Sequence, residues 1–176
     1  MRGDFLVVVK TPVCYFCAKT GVLCATCQDR LDRGEISDID VEVSKWFIEL
    51  ENSIPQLKDC TVHKAVLSKG LLVILVSCSK SSGGRVLWNR VSKALSEKKG
   101  VNVRIVEKTS SIKKLAEQIV TPARIIGANT IWLPDGSWES TLKIPRSEVR
   151  KLPAEPRVIE QVVKEISGEI IKLIAV

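Results

Sequence analysis

The feature that most constrains this chain is an internal repeat with an offset of 68 residues (168 − 100). Residues 100–106 align with residues 168–174, and both segments read as a glycine followed by a strand. Two further pairs of segments align at the same offset: residues 91–99 with 159–167 as helices, and residues 74–76 with 142–144 as strands. A duplicated unit of this kind predicts one fold repeated in tandem.

Each copy extends toward its start in the same way. Apolar residues at helical spacing predict helices over 38–54 and 110–120, and a strand follows each helix, at 61–67 and 124–133. Residues 134–137, Pro-Asp-Gly-Ser, predict a turn after the second of these strands. The order is therefore α-β-β-α-β, twice. We predict an α+β chain with units at 37–108 and 109–176, behind an N-terminal module at 1–36.

The order of elements, with a basic connector leading into the helix after the central strand, resembles the type II KH domain. The run 119–126, followed by a strand and by Leu-Pro-Asp-Gly at 133–136, resembles the junction between the paired KH units of archaeal NusA-like transcription factors. This resemblance covers about residues 37–176. It implies an RNA-binding protein that contacts RNA during transcription elongation or termination, with RNA polymerase as partner.

The resemblance also implies a place for the RNA. A KH unit binds single strands through a Gly-x-x-Gly loop, in which backbone amides approach phosphates. The first copy keeps the final glycine of this motif, Gly84, but has Ser81 in place of the first. Residues 79–108 carry eight basic side chains and two acidic ones, so this segment is the predicted contact surface. The RNA-binding residues predicted in this copy are Lys80, Ser81, Ser82, Gly83, Gly84, Arg85, Trp88, Arg90 and Lys93. The alternative is an ordinary flexible turn beside a solvated helix face.

The connector of the second copy, residues 146–153, contains no glycine. Arg146, Arg150 and Lys151 would then contact phosphates through their side chains. Equally, this copy would pack only against the first copy or against another protein.

The cysteines give the most specific local signal. Cys14 and Cys17 form one Cys-x-x-Cys pair and Cys24 and Cys27 form a second, with six residues between the pairs. Two such pairs predict a knuckle or ribbon around a tetrahedral Zn²⁺, and a segment this short needs a metal for its own stability. An iron–sulfur centre is the alternative. With four cysteine ligands the site would be closed, so a structural role is predicted.

Other conspicuous residues carry weaker signals. Cys60 and Cys78 are predicted to be small, reduced, buried side chains without a role, and the sole histidine, His63, is predicted at or near the surface. Four tryptophans are predicted to pack mainly in cores, with Trp88 on the basic helix the best candidate for base stacking, and with Trp132 and Trp138 paired across a hairpin. The four are Trp46, Trp88, Trp132 and Trp138.

Charge and composition narrow the function. The net charge is +7, and since residues 1–60 sum to −3, the remainder carries +10 (7 + 3), which favours a polyanionic partner. No segment has the length or apolarity of a membrane span or secretory signal, so we expect a cytoplasmic protein. The sequence shows no nucleophile–base pair and no nucleotide-binding glycine loop, and we expect neither an enzyme nor a small-molecule substrate. The alternatives to a transcription factor are a ribosomal or ribosome-associated protein that binds rRNA, and a protein-interaction adaptor.

Overall fold

The computed structural model describes residues 7–79 and 84–176. Its helices are α1 (Tyr15–Thr20), α2 (Ala25–Asp32), α3 (Asp38–Glu51), α4 (Arg85–Lys99), α5 (Ile112–Val120) and α6 (Pro156–Ser167). Its strands are β1 (Cys60–Ser68), β2 (Leu71–Cys78), β3 (Asn102–Glu107), β4 (Gly127–Trp132), β5 (Trp138–Ile144) and β6 (Ile170–Ala175). Two short 3₁₀ helices span Pro55–Asp59 and Arg146–Lys151. The α+β class and the twofold α-β-β-α-β order are confirmed. In the described ranges, no helix has the length and hydropathy to cross a membrane.

The register of the strands reproduces the sequence repeat. The sheets have the orders β1-β2-β3 and β4-β5-β6, and in each the last two strands are parallel. Ile74 lies opposite Ile105 in the first sheet, and Leu142 lies opposite Leu173 in the second. Each residue of the second pair therefore follows its counterpart in the first pair by 68 positions (142 − 74 and 173 − 105). The parallel half of each unit is therefore duplicated residue for residue.

The two hairpins are built differently. Between β1 and β2 the chain turns through Lys69 and Gly70, both with positive φ (42° and 82°), as a tight two-residue hairpin requires. Between β4 and β5 the predicted Pro-Asp-Gly-Ser turn is present. Gly136 has φ 83°, and the backbone N–H of Ser137 donates to the carboxylate of Asp135 at 2.9 Å. The antiparallel halves therefore do not share the 68-residue offset.

Strand β2 is buried on both faces because each unit covers one of them. Leu72, Ile74 and Val76 belong to a core that includes α3 and α4. Leu71 and Val73 belong to a second core that includes α5 and α6. Helix α6 in turn contacts β6, so α5 and α6 lie between the two sheets. This arrangement explains why β2 reads as a continuous apolar run instead of an alternating one.

Two buried carboxylates anchor α3. The Asp40 carboxylate accepts hydrogen bonds from the backbone N–H groups of Ser37 (2.9 Å) and Ala65 (2.7 Å), which closes a capping box and ties α3 to β1. At the other end of α3, the Glu51 carboxylate accepts from the backbone N–H of Val9 at 2.6 Å. Both carboxylates therefore hold neighbouring backbone in place.

Cys60 and Cys78 form a disulfide. The two residues are directly opposite each other in the β1–β2 register, although 18 positions separate them in the sequence. Cys60 is buried, as predicted, but the prediction of two separate reduced side chains without a role is wrong. It relied on the redox compartment and did not use the cross-strand register, which places the two side chains together.

Candidate metal centre and nucleic-acid interface

Four cysteines come together at the N-terminal end of the described chain. The Sγ atoms of Cys14, Cys17, Cys24 and Cys27 all lie within 4.8 Å of one another. Cys14 is the N-cap of α1 and Cys24 is the N-cap of α2, so each Cys-x-x-Cys pair occupies the first turn of a short helix. Residues three apart on a helix share a face, and this spacing aims both sulfurs of a pair at one point.

The surroundings of the cluster act on its thiols in opposite directions. The N-terminus of a helix stabilises negative charge, and two such ends meet here. The backbone N–H of Cys24 donates to the Cys17 Sγ at 3.1 Å. A hydrogen bond from the backbone N–H of Cys27 lowers the pKa of the Cys24 thiol to about 7, whereas burial raises the pKa of Cys17 to about 12. Four sulfur donors at this separation match the donor set of a tetrahedral site. The cluster could hold a metal ion such as zinc.

A polar cleft lies between the two units. It has a volume of about 560 Å³, and its walls are α4 and β3 from the first unit and α5 from the second. The lining residues are Arg85, Trp88, Asn89, Ser92, Arg104, Ile105, Glu107, Lys114, Glu117, Gln118 and Thr121.

Positive charge in the cleft is only partly compensated. Arg85, Arg104 and Lys114 line it, and no described carboxylate forms an ion pair with any of the three. The two carboxylates of the lining have other partners. Glu107 accepts a hydrogen bond from the Trp88 indole at 2.7 Å, and Glu117 lies 3.8 Å from Lys113, which is not a lining residue.

Arg104 has an unmet hydrogen-bonding requirement. Its Nε atom is buried and has no hydrogen-bond partner among the described residues. Burial lowers the pKa of this guanidinium from its usual value. A buried donor without an acceptor is costly in free energy, so Arg104 stands in this wall of the cleft at the expense of one hydrogen bond.

The predicted RNA-binding residues of the first copy fall into four groups. Lys80, Ser81, Ser82 and Gly83 lie outside the described residues. Gly84 is the exposed N-cap of α4, and a Cβ built on it would meet no described heavy atom within 4 Å. Arg85 and Trp88 line the cleft, whereas Arg90 and Lys93 are exposed on α4 outside its lining.

Two of the four tryptophans pack in a core, and the other two are exposed on a hairpin. Trp46 and Trp88 are buried in the first core, with 8% and 6% of their surface exposed. Trp132 and Trp138 are directly opposite each other across the β4–β5 hairpin, with ring centroids 5.3 Å apart. The predicted cross-strand pair is confirmed, and Trp88 offers a ligand little free ring surface.

The predicted contacts of the second copy lie on a 3₁₀ helix. Arg146, Arg150 and Lys151 are exposed there, and none of them lines the cleft. The Lys151 ammonium lies 3.6 Å from Glu148. This unit instead contributes α5, whose Lys114 and Gln118 line the cleft. Sequence reasoning missed both residues, since no local signal shows that α5 packs against β3 and lines the cleft with α4.

Together, these features define the class: a two-unit α+β protein with an N-terminal four-cysteine cluster and a cationic cleft between its units.

A protein of the same fold is known. The crystal structure of the archaeal protein APE1850 superposes on this chain with a TM-score of 0.50 and 17% sequence identity, covering 74% of this chain and 96% of that one. At this identity the likeness establishes the fold alone. No protein-family model matches the sequence, and no curated protein matches it.

Proposed function

We propose that this protein binds single-stranded RNA in the cleft between its two units, as a NusA-like factor of transcription elongation or termination. The observation that carries the proposal is the cleft itself, because three cationic side chains line it and the Nε donor of Arg104 lacks an acceptor. The α-β-β-α-β order of both units and the resemblance of residues 119–136 to the NusA-like junction support the assignment to this class.

Each wall of the cleft would have a separate role in binding. Arg85 and Lys114 would face successive phosphates from the two units, and the half-buried Arg104 would supply a charge-assisted hydrogen bond in a partly desolvated place. Gly84, without a side chain at the start of α4, would let a phosphate approach the helix N-terminus. Base edges would then meet the amide of Asn89, which also lines the cleft. The amide of Gln118 bonds to the backbone N–H and carbonyl of Glu107 and would hold that wall in place.

Salt dependence of RNA binding tests this proposal. For single-stranded RNA each neutralised phosphate contributes about 0.7 to the slope of log affinity against log salt. The Arg85→Gln/Lys114→Gln variant should therefore bind more weakly, with a slope smaller by about 1.4. Lys172→Gln is the matched control, since Lys172 pairs with Glu139 on the second sheet and should leave the slope unchanged. Equal slopes for all three proteins would rule out the cleft as the RNA site.

Cosedimentation identifies the host complex. Native lysate would be fractionated on a sucrose gradient, with this chain followed beside RNA polymerase and the ribosomal subunits. Migration with polymerase supports the transcription role. Stoichiometric migration with a ribosomal subunit through a high-salt wash supports the alternative of an rRNA-binding ribosomal protein. An adaptor that works through protein contacts alone would show no salt-dependent RNA binding.

We also propose that the cysteine cluster holds a structural Zn²⁺. Cys17 and Cys27 belong to the first hydrophobic core, so the metal would stabilise the packing of α1 and α2 against α3. Elemental analysis should find about one zinc per chain, and none after Cys14→Ser/Cys17→Ser. The variant should also unfold at lower denaturant concentration. Iron with visible absorption would indicate an iron–sulfur centre, and absence of metal from the intact protein would refute the site.

A further inference from the structure

An exposed aromatic surface lies beside the cysteine cluster. We define the α1 patch as Tyr15, Phe16 and Lys19 of α1 together with Lys45 of α3. Tyr15 and Phe16 are 44% and 62% exposed. We propose that the α1 patch is a second contact for single-stranded RNA, in which bases stack on the two rings and phosphates meet the two lysines. This inference rests on the proposed RNA-binding function.

The geometry of the cluster is what exposes the rings. Cys14 and Cys17 occupy one face of the first turn of α1 and turn toward the other two cysteines. Cys17 and Ala18 are fully buried. The two residues between the cysteines therefore lie on the remaining face, away from the core. The core on one side and the cysteines on the other fix the position of the short helix that carries the two rings.

The charge of the α1 patch is positive. The Lys19 ammonium lies 5.7 Å from the centre of the Tyr15 ring, and Lys45 lines a small pocket beside the same ring. In the described part of the chain neither lysine forms an ion pair, whereas the nearby carboxylates are engaged. Glu49 pairs with Lys98, and Glu51 accepts from backbone. The N-terminal region is acidic in total, yet at this surface the uncompensated charge is cationic.

Rings and cations in one patch fit a single-stranded nucleic acid best. Every base has a face that can stack on an aromatic ring, whereas a duplex keeps its base faces covered. The lysines supply the complementary charge for the backbone. A purely apolar protein ligand would leave both ammonium groups without partners, which disfavours a ligand of that kind in this position.

Affinity for an oligouridine of about 12 nucleotides, measured by fluorescence anisotropy on the metal-loaded protein, tests the inference. Loss of one stacked base corresponds to at least about fivefold in affinity, so Tyr15→Ala/Phe16→Ala should weaken binding by at least that factor. Val22→Ala is the matched control, because Val22 is 66% exposed on the same module but has no ring. Tyr15→Phe keeps the ring and should bind like the wild type.

Crosslinking gives a readout that needs no variant. A 4-thiouridine oligomer irradiated on the wild-type protein should crosslink to the tryptic peptide 11–19, which contains both rings. Metal content and melting temperature of each variant would confirm an intact module. Two results together would overturn this inference: unchanged affinity of Tyr15→Ala/Phe16→Ala, and no crosslink in residues 11–19. If the Arg85→Gln/Lys114→Gln variant loses affinity in the same assay, the proposed function still stands. Absence of RNA binding by the wild type would overturn both.

Discussion

Reduction of the Cys60–Cys78 disulfide should lower the free energy of unfolding by about 3 kcal/mol. The bond joins residues 18 positions apart, and in the chain-entropy model a crosslink that closes a loop of this length stabilises the folded state by about 3 kcal/mol. With a urea m-value of about 2 kcal/mol per molar, the unfolding midpoint should fall by about 1.5 M. The effect acts mainly on the unfolded chain, because β1 and β2 remain paired by their backbones after reduction.

The assay is urea unfolding followed by tryptophan fluorescence, with and without a phosphine reductant. The control is Cys60→Ala/Cys78→Ala, which lacks the bond and should show no response to the reductant. An unchanged midpoint of this variant also shows that the reductant does not act through the four clustered cysteines. Mass spectrometry after alkylation counts the thiols in each sample.

Two results would refute the reasoning. If mass spectrometry shows that both cysteines have been reduced and the midpoint stays the same, the crosslink does not contribute through loop closure. If the protein prepared without reductant already has six alkylatable cysteines, the disulfide is not formed in solution.

Two other residues allow direct tests. Asp40→Asn removes a carboxylate that accepts from two backbone N–H groups, including that of Ala65, and should lower the free energy of unfolding in urea by about 2–3 kcal/mol. Asp38→Asn, at an exposed residue of the same turn, should lower it by less than about 0.5 kcal/mol. Equal losses for the two variants would contradict the anchoring role of Asp40. Burial, and secondarily Lys108, lower the pKa of His63 below 6.5. The unfolded chain therefore binds its proton first, and this group should destabilise the protein as pH falls below 6.5. An NMR titration of this sole histidine should have its midpoint below 6.5, and a midpoint above it would contradict the assignment.

The repeated elements could be predicted from periodicity because each depends on local patterning. Helix α6 and strand β6 follow the same apolar pattern as α4 and β3, and the pattern fixes both the element types and their order. The cysteine cluster could be predicted for the same reason, since two Cys-x-x-Cys pairs close in sequence suffice to define it. In both cases the residues that carry the prediction lie close together in the sequence.

The cleft could not be predicted because it depends on how distant elements pack. Arg104 counted in the sequence as one of many basic residues, and only the packing of α5 beside β3 makes its Nε a buried donor. Lys98 and Lys99 show the opposite error. Both counted toward the predicted RNA surface, but they pair with Glu49 and Glu42 of α3. Net charge over a segment therefore overstated its free cations.

The second connector contains no glycine, and the packing of the second unit gives that unit a structural role. Leu71 and Val73 of β2 are fully buried, and the side chains that cover them come from the α5 and α6 core. Removing that cover would expose two apolar side chains on the central strand of the first sheet, at about 1.5–3 kcal/mol each. A unit that closes the first core and supplies one wall of the cleft does not need a phosphate-binding loop of its own.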